Sequence, residues 1–289
     1  MTPRLTLGRL EISRIVEQAP GFDPYAYFPD LPKDVFEANR GWLEKMRAVD
    51  ARGNIILTIQ SFIVKTPHHT ILIESCVGNH KSRKRWPFCD MLKSNAYMNN
   101  LARAGIGVED IDFVFCTHLH MDHVGWNTRL VNGRWVPTFP NARYIFSKGE
   151  FDHWSAEHEK SPDVAMEDSV FPVVEAGQSE LVEDDFELGD HIRLQPTPGH
   201  TPHHVAVQIR EKEDIRAVVT GDLIHSPIQT RYPELCLKGD MDKPVAARTR
   251  RAFLEQYCEC STIFCGSHFP SMGKISRWND GYRFEGGQA

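Results

Sequence analysis

The sequence predicts an α/β protein in which two β-sheets are covered by helices on their outer faces. Strand-like runs rich in β-branched residues alternate with helix-like runs along the chain, and no low-complexity linker divides them. A dense cluster of histidines and aspartate directly follows one short apolar run, which is where functional side chains of α/β proteins usually lie. We therefore expect one domain over residues 1–289, with an N-terminal strand and aromatic loop in residues 1–50 and the sandwich in residues 51–289.

The first half of the chain predicts a hairpin, two further strands and two helices. Residues 55–65 (IILTIQSFIVK) and 70–75 (TILIES) are rich in β-branched side chains and flank a Pro-His-His turn, which is typical of a hairpin. Residues 87–105 have the apolar spacing of a helix, with Gly105 as its stop. Residues 111–116 and 142–146 predict short strands, and residues 149–158 predict a second helix.

The second half repeats this alternation. Residues 191–195, 205–210 and 217–220 predict strands. A helix is expected to begin at Lys243-Pro244, because proline suits the first helical turn, and to run to about Cys258. Residues 261–265 predict a last short strand, and residues 225–242 predict a long loop with little periodicity.

Composition and charge limit the classes of partner and compartment. The formal net charge of -6 argues against a nucleic-acid partner bound through its phosphates. The chain has no apolar run near the roughly 20 residues that cross a bilayer. The first 17 residues lack the apolar core of a secretory signal, so we expect a cytoplasmic protein with no membrane partner. The basic cluster Lys81, Arg83, Lys84 and Arg85 is either a solvated loop or a patch that steers an anionic substrate.

The seven cysteines predict reduced core thiols. Cys76, Cys116 and Cys265 lie in or beside apolar, strand-like runs, where a thiol acts as a small buried apolar group. Cys258 and Cys260 lie near Cys265, but their C-x-C-x4-C spacing is not that of a zinc finger. A structural zinc on these three residues is the weaker alternative.

Residues 19–32 (APGFDPYAYFPDLP) combine several prolines with four aromatic side chains. Such a stiffened loop is either a cover packed on the core or one wall of a substrate pocket. An exposed aromatic loop can also mediate a homodimer, which we keep as a possible partner.

The segment from Cys116 reads C-T-H-L-H-M-D-H-V-G-W-N. In an extended segment alternate side chains share a face, so His118, His120 and Asp122 can converge. His123 must reach the same place through a turn, and Gly125 supplies backbone freedom nearby. Imidazole and carboxylate groups suit divalent zinc, manganese or iron, so the segment predicts a metal site. The alternative is a patch of surface histidines after a strand.

This pattern resembles the metallo-β-lactamase superfamily, whose H-x-H-x-D-H signature follows a strand. The family's later motifs have matches in the same order. His200 stands in P-G-H-T-P, Asp222 in V-V-T-G-D, and His268 in I-F-C-G-S-H. The resemblance covers roughly residues 55–272 and implies a four-layer αββα sandwich.

The resemblance also implies a ligand set for two divalent metal ions, with zinc expected first and manganese or iron as alternatives. The matching side chains form two sets: His118, His120 and His200 for one ion, Asp122, His123 and His268 for the other, and Asp222 bridging both. Each ion then keeps room for solvent, as a catalytic site requires.

One position departs from the family pattern. The family often has an aspartate in a D-T-G-like context after its second strand, where this chain has Glu74 in E-S-C-V-G. Glu74 is a candidate hydrogen-bond acceptor behind the metal ligands. Its extra methylene leaves its position open.

The implied mechanism is hydrolysis by a hydroxide that bridges the two ions, which lie about 3.5–4 Å apart in such sites. Asp122 is expected to orient this hydroxide and carry a proton to the leaving group, or to serve as a ligand alone. His225 stands where the related acyl-homoserine lactonases have a tyrosine that helps hold the substrate carbonyl. A catalytic and a structural role both stay open for His225, whereas we expect His203 and His204 to be structural.

The substrate predicted first is a small organic ester, most of all a lactone, by resemblance to lactonase-like members. A phosphotriester or phosphodiester comes second, because the same ions serve phosphoryl transfer. A β-lactam, a mononuclear iron enzyme similar to sulfur dioxygenases, and a non-catalytic scaffold are the remaining alternatives. The fold does not choose among them.

Overall fold

The computed structural model describes residues 4–288, so residues 1–3 and 289 of the expected single domain lie outside the described residues. The chain forms two compact units. The first unit contains the chain up to Gln18 and residues Ile59–Phe186, and the second contains Ala19–Thr58 and the chain from Glu187 onward. Each unit has strands and helices, which confirms the α/β class. The single domain with a boundary at residue 50 stays a prediction.

Within residues 4–288 the strands are, in chain order, β1 (Arg4–Leu7), β2 (Leu10–Gln18), β3 (Gly21–Phe22), β4 (Ile55–Ile56), β5 (Ile59–Lys65), β6 (Thr70–Ile73), β7 (Phe113–Phe115), β8 (Thr128–Val131), β9 (Arg134–Pro137), β10 (Arg143–Ser147), β11 (Ser179–Val182), β12 (Glu187–Leu188), β13 (Ile192–Pro196), β14 (Val205–Glu211), β15 (Asp214–Val219), β16 (Ile263–Cys265), β17 (Met272–Trp278) and β18 (Gly281–Gln288). The α-helices are α1 (Pro24–Tyr27), α2 (Lys33–Lys45), α3 (Ala96–Arg103), α4 (Lys148–Lys160), α5 (Phe171–Glu175), α6 (Ile228–Arg231) and α7 (Lys243–Tyr257). Short 3-10 turns cover Val108–Asp110, Gly125–Asn127 and Gly221–Leu223, and a π-helical turn covers Met166–Val170. No helix among these is long and apolar enough to cross a membrane.

The first unit contains a mixed sheet with the strand order β1-β2-β5-β6-β7-β10-β11. Strands β5 and β6 form the predicted antiparallel hairpin, and β7 lies parallel to both β6 and β10. Helix α3 contributes Tyr97 and Leu101 to the same apolar core as Val114 of β7. Strand β7 is therefore held on both sides, and the residues that follow it begin from a fixed point.

Two predicted elements are shorter than expected. The helix predicted over residues 87–105 covers only Ala96–Arg103, because Met91 adopts a left-handed φ of 50° that ends any helix there. Gly105, with a φ of 75°, follows the helix as predicted. The strand predicted over residues 55–65 is two strands: Ile55–Ile56 pairs with β3 and Ile59–Lys65 pairs with β2.

Two residues of the basic cluster are buried, so the prediction of a solvated or substrate-steering loop was wrong for Lys81 and Arg83. Lys84 and Arg85 are exposed, but the side chains of Lys81 and Arg83 are both 0% exposed. Arg83 binds the Asp168 carboxylate in a bidentate pair at 2.7 and 2.9 Å, and Lys81 Nζ lies 3.3 Å from Asp168 Oδ1. Burial outweighs the attraction of Asp168 and lowers the pKa of Lys81 to about 8.

The π-helical turn explains how Asp168 also binds Lys81 through its backbone. Pro172 lies four residues after Asp168 and has no N–H to donate to the Asp168 carbonyl. That carbonyl instead accepts hydrogen bonds from Lys81 Nζ at 2.9 Å and from the Thr128 hydroxyl. The local break in the helix thus stabilises a buried ammonium group.

The second unit contains a mixed sheet with the strand order β12-β13-β14-β15-β16-β17-β18. Strands β15 and β16 are parallel, so Val219 and Cys265 end at the same edge of the sheet. Helix α7 begins as predicted, with Asp242 accepting from the Val245 N–H at 3.0 Å and proline in the first turn. Its residues Phe253 and Leu254 pack with Phe264 of β16 in one core.

The cysteines are free thiols, as predicted. Cys76, Cys116 and Cys265 are buried, whereas Cys260 is exposed. Within the part of the chain that the structure describes, the side-chain groups able to hold a metal ion do not include Cys258, Cys260 or Cys265. The structure thus gives no support to a zinc site on these three residues.

We expect the Asp168→Asn substitution to lower the free energy of unfolding by about 3 kcal/mol, because it removes the carboxylate that Lys81 and Arg83 share and leaves two buried positive charges uncompensated. Denaturant unfolding measures the change. The matched control is Glu180→Gln, whose partner Arg143 lies at 3.8 Å with both side chains about half exposed. It should cost less than about 0.5 kcal/mol. Equal effects of the two substitutions would contradict this account.

Candidate metal centre

The segment after β7 brings three imidazole rings together in the first unit. His118 Nε2 lies 3.0 Å from His120 Nδ1, and the ring centroids of His118 and His123 are 4.2 Å apart. His118 and His123 are buried, and Asp122 Oδ2 lies 3.7 Å from His123 Nε2. Imidazoles this close in a buried place repel one another when protonated. As neutral rings beside a carboxylate they form a donor set that suits a divalent cation.

Gly125 is required by space, which differs from the backbone freedom that its sequence position predicted. A Cβ on Gly125 would lie 1.8 Å from the Val77 carbonyl oxygen. The two segments are joined by hydrogen bonds from the Gly125 N–H to the Cys76 carbonyl and from the Trp126 N–H to the Ser75 carbonyl, both at 2.7 Å. The turn that carries His123 is thus fixed against the loop after β6.

A buried carboxylate supports this loop from the other side. Glu17 accepts from the Val77 N–H at 2.9 Å, the Gly78 N–H at 3.2 Å and the Trp126 indole N–H at 2.6 Å. Burial raises the pKa of Glu17, and these three donors act against that rise. Glu17 is not among the predicted site residues, because its partners are 60 or more residues away in the chain.

Glu74, whose position the resemblance to the family left open, lies behind a predicted metal ligand. Glu74 Oε2 lies 3.0 Å from His123 Nδ1, and the Thr117 hydroxyl donates to the other oxygen. The same hydroxyl oxygen lies 3.1 Å from His118 Nδ1, where it can accept a proton. The contact with the hydroxyl favours a proton on Nδ1 of His118, so that Nε2 of this ring is the nitrogen available to a metal. Thr117 was missed because a threonine beside the motif has no distinctive spacing.

His120 has a partly buried environment that includes an aromatic side chain. Its ring centroid lies 5.2 Å from that of Trp154 on helix α4. Glu150 of the same helix accepts from the Trp154 indole N–H at 2.7 Å and from the Leu119 N–H at 3.3 Å. Helix α4 therefore fixes both the backbone and one wall of the histidine cluster.

In the second unit, three imidazoles converge on the carboxylate of Asp222. Asp222 lies in the 3-10 turn that follows β15. Its Oδ2 is 3.3 Å from His200 Nε2 and 3.0 Å from His225 Nε2, and its Oδ1 is 2.9 Å from His268 Nε2. All four side chains are buried. Asp222, His225 and His268 offer ligand atoms within 4.8 Å of one another, which is compatible with a bound metal ion.

The electrostatics of this cluster favour one positive charge. Burial lowers the pKa of His200, but Asp222 and Asp240 outweigh it and raise the pKa to about 9. Burial lowers the pKa of His225 to about 4, against the attraction of Asp222. His225 is therefore neutral near pH 7, whereas Asp222 and Asp240 stabilise a positive charge on His200. The residues fit a divalent metal by their donor chemistry.

Further side chains fix the orientation of these groups. His204, which we expected to be structural, accepts the Asp222 N–H at its Nε2 at 2.9 Å and contacts the Thr197 hydroxyl through Nδ1 at 2.8 Å. His268 Nδ1 lies 3.2 Å from the Thr58 carbonyl oxygen, which can accept its proton. His204 thus positions the backbone of Asp222 directly.

The aromatic loop is packed on the core, which is one of the two roles that the sequence left open. Phe28 is fully buried in an apolar core with Phe36 and Leu43. Tyr27 is only partly buried, and its ring centroid lies 5.9 Å from that of His225. The loop is anchored by Phe28 and presents Tyr27 to the Asp222 cluster.

The chain is similar in sequence to known proteins of one family. The family model described as "Metallo-beta-lactamase superfamily" matches residues 56–265. An N-acyl homoserine lactonase of Bacillus sp. is 26% identical over 132 residues, covering 46% of each chain. One of Bacillus cereus is 24% identical over 182 residues, covering 59% of this chain and 66% of the relative. The chain thus matches about half the length of the first of these curated relatives.

Solved structures support the same fold. The hydrolase AbOPH of the beta lactamase superfamily has a TM-score of 0.79 at 22% identity, covering 98% of this chain and 96% of its own. AidC, a dizinc quorum-quenching lactonase in complex with a product, has a TM-score of 0.78 at 22% identity, covering 99% and 97%. A probable metal-dependent hydrolase from Staphylococcus aureus has a TM-score of 0.75 at 20% identity, covering 97% and 99%. At these identities the likeness shows the fold alone, and with the match of the family model to most of the chain it confirms the predicted fold type. The chain belongs to the metallo-β-lactamase superfamily.

Proposed function

We propose that this chain is a binuclear metal-dependent hydrolase that acts on a small organic ester, first of all a lactone. The observation that carries the proposal is the convergence of three buried imidazole Nε2 atoms on the Asp222 carboxylate. Imidazole nitrogens gathered around one carboxylate suit a divalent cation, which would replace the positive charge that Asp222 and Asp240 otherwise hold on His200. Zinc is the metal proposed first, with manganese or iron as alternatives.

The proposed ligand sets follow the order of the family motifs along this chain: His118, His120 and His200 for one ion, Asp122, His123 and His268 for the other, and Asp222 shared. When bound, two divalent ions supply a water of lowered pKa as nucleophile and polarise the oxygen of the substrate carbonyl. The protein side chains would hold the ions, orient the water and the substrate, and transfer protons.

Asp122 is proposed to carry the proton. Its side chain is 21% exposed, whereas that of His123 beside it is 2% exposed. A partly exposed carboxylate can accept a proton from the attacking water and release it to the alkoxide oxygen that forms when the ester C–O bond breaks, which gives the alcohol. The buried histidines are less able to do so, because Nδ1 of His118, His200 and His268 faces a hydrogen-bond partner outside the cluster.

His225 is proposed to act as a neutral hydrogen-bond donor. Its Nε2 lies 3.0 Å from Asp222 Oδ2, and its ring stacks on His268 at 5.4 Å with an interplanar angle of 13°. A neutral imidazole here donates to Asp222 and holds it in place. It can donate instead to a substrate oxygen that replaces Asp222 as the acceptor. A role in holding the substrate therefore stays part of the proposal.

The proposal of a lactone rests on the named relatives and on the aromatic side chains beside His225. The curated relatives are named N-acyl homoserine lactonases, and AidC is described with a product bound. Tyr27 contacts Phe22 at a centroid distance of 5.6 Å as well as His225. This partly exposed aromatic pair suits the apolar acyl chain of such a substrate.

The class of substrate is tested with the purified protein. The purified protein should hydrolyse N-acyl homoserine lactones faster than an aryl ester, a phosphotriester or a β-lactam, and a chelator should abolish the activity. His118→Ala should lower kcat/KM by at least about a hundredfold, because it removes a proposed ligand. The control His69→Ala alters an exposed histidine in the β5–β6 turn and should leave activity unchanged. Faster turnover of the phosphotriester would move the proposal to the phosphoesterases, and activity that resists chelators would refute it.

The contact between Tyr27 and the acyl chain is tested by substitution. Tyr27→Ala should lower kcat/KM about tenfold for long-chain N-acyl homoserine lactones and little for short-chain ones, because one aromatic contact contributes about 1–1.5 kcal/mol. Tyr25→Ala is the matched control, since Tyr25 lies on the same helix but packs against Phe36 at 5.8 Å. A loss that is independent of chain length would show that Tyr27 does not contact the acyl chain.

A further inference from the structure

A buried carboxylate outside the family's ligand motifs contacts one of the proposed metal ligands. Asp240 lies between α6 and α7, in the segment that the sequence predicted as a loop with little periodicity. Its Oδ1 lies 3.0 Å from His200 Nδ1, and its Oδ2 accepts from the Leu237 N–H at 3.1 Å. The carboxylate itself is 0% exposed. Asp240 is thus aimed at the ring edge of His200 that faces away from Asp222.

Arg250 of helix α7 holds Asp240 and compensates its charge. Its side chain is 0% exposed, and its Nη2 donates to Asp240 Oδ2 at 3.4 Å. Its Nε donates to the Leu223 carbonyl at 2.7 Å, and its Nη1 donates to the Pro233 carbonyl at 2.8 Å. Leu223 follows Asp222 in the chain, so Arg250 ties Asp240 to the 3-10 turn that carries the bridging aspartate.

We propose that Asp240, fixed by Arg250, is a positioning residue that sets the tautomer of His200; this rests on the metal centre proposed above. An ionised carboxylate only accepts hydrogen bonds, so His200 must place a proton on Nδ1 to satisfy Asp240 Oδ1. Nε2 then points toward Asp222, whose Oδ2 is 3.3 Å away, and offers its lone pair on that side once a metal ion displaces the second ring proton. That is the side on which a metal is proposed to bind.

The Asp240→Asn substitution tests this proposal, because the contacts of the carboxylate determine how the new amide is oriented. The Oδ2 position of Asp240 receives two N–H donors, from Leu237 and Arg250, so the amide oxygen must occupy it. The amide NH2 then faces His200 Nδ1 and donates to it, which moves the ring proton to Nε2 and removes the lone pair that binds the metal. Loss of such a partner typically weakens metal binding about 10- to 100-fold.

The experiment is a competition titration of the metal-free full-length protein with zinc and a chromophoric chelator. We expect wild type to bind zinc in two steps, and Asp240→Asn to weaken one step by about 10- to 100-fold. Asp242→Asn is the matched control. It makes the same chemical change two residues away, where asparagine caps a helix as well as aspartate does, so its zinc affinity should stay within about twofold of wild type.

A second measurement reads the tautomer and does not depend on the variant's folding. Histidine-selective nitrogen NMR of the zinc-loaded wild type should show His200 with its proton on Nδ1 and zinc on Nε2. Zinc on Nδ1 of His200, or zinc affinity of Asp240→Asn equal to that of wild type, would overturn the inference while leaving the proposed function intact. A wild type that binds no zinc, manganese or iron would instead overturn the proposed metal centre, and this inference with it.

Discussion

The burial of many imidazole and carboxylate groups in two small clusters is the constraint on which the rest of this structure depends. A buried polar group without a hydrogen-bond partner costs several kcal/mol, and a buried charge costs more. The chain meets this cost by giving Nδ1 of several rings a fixed acceptor: the Thr117 hydroxyl for His118, Asp240 for His200 and the Thr58 carbonyl for His268. In each case the opposite nitrogen, Nε2, faces the cluster. The partners thus determine which nitrogen is available for binding.

The sheets determine where these groups begin. Strand β7 is paired on both sides and ends at Phe115, so the histidine motif starts from a fixed backbone. Strands β15 and β16 are parallel and end at one edge of their sheet. The residues that follow them therefore meet, with Asp222 Oδ1 2.9 Å from His268 Nε2. Close backbone approach completes the first cluster, since no residue larger than glycine fits at position 125. The rigid scaffold therefore supplies an arrangement that loops alone would not hold.

The sequence predicted those features of the fold and site that depend on residues close together in the chain. The H-x-H-x-D-H spacing, the hairpin before it and the start of helix α7 are all set by residues a few positions apart, and the structure contains each of them. The prediction of solvated Lys81 and Arg83 was wrong because their partner, Asp168, is 85 or more residues away. Asp240 and Arg250 were missed for the same reason: their roles depend on tertiary contacts with His200 and Leu223. Spacing predicts which residues can bind a metal, whereas the groups that orient them appear only in the fold.

The metal content of the chain tests the proposed centre most directly. Protein purified without added metal should be analysed by elemental mass spectrometry, with Asp222→Ala as a variant that lacks the shared carboxylate. The account predicts about two divalent ions per chain in wild type and at most about one in the variant. A single iron per chain in wild type, unchanged by the substitution, would contradict the binuclear centre and favour a mononuclear redox enzyme on the same fold.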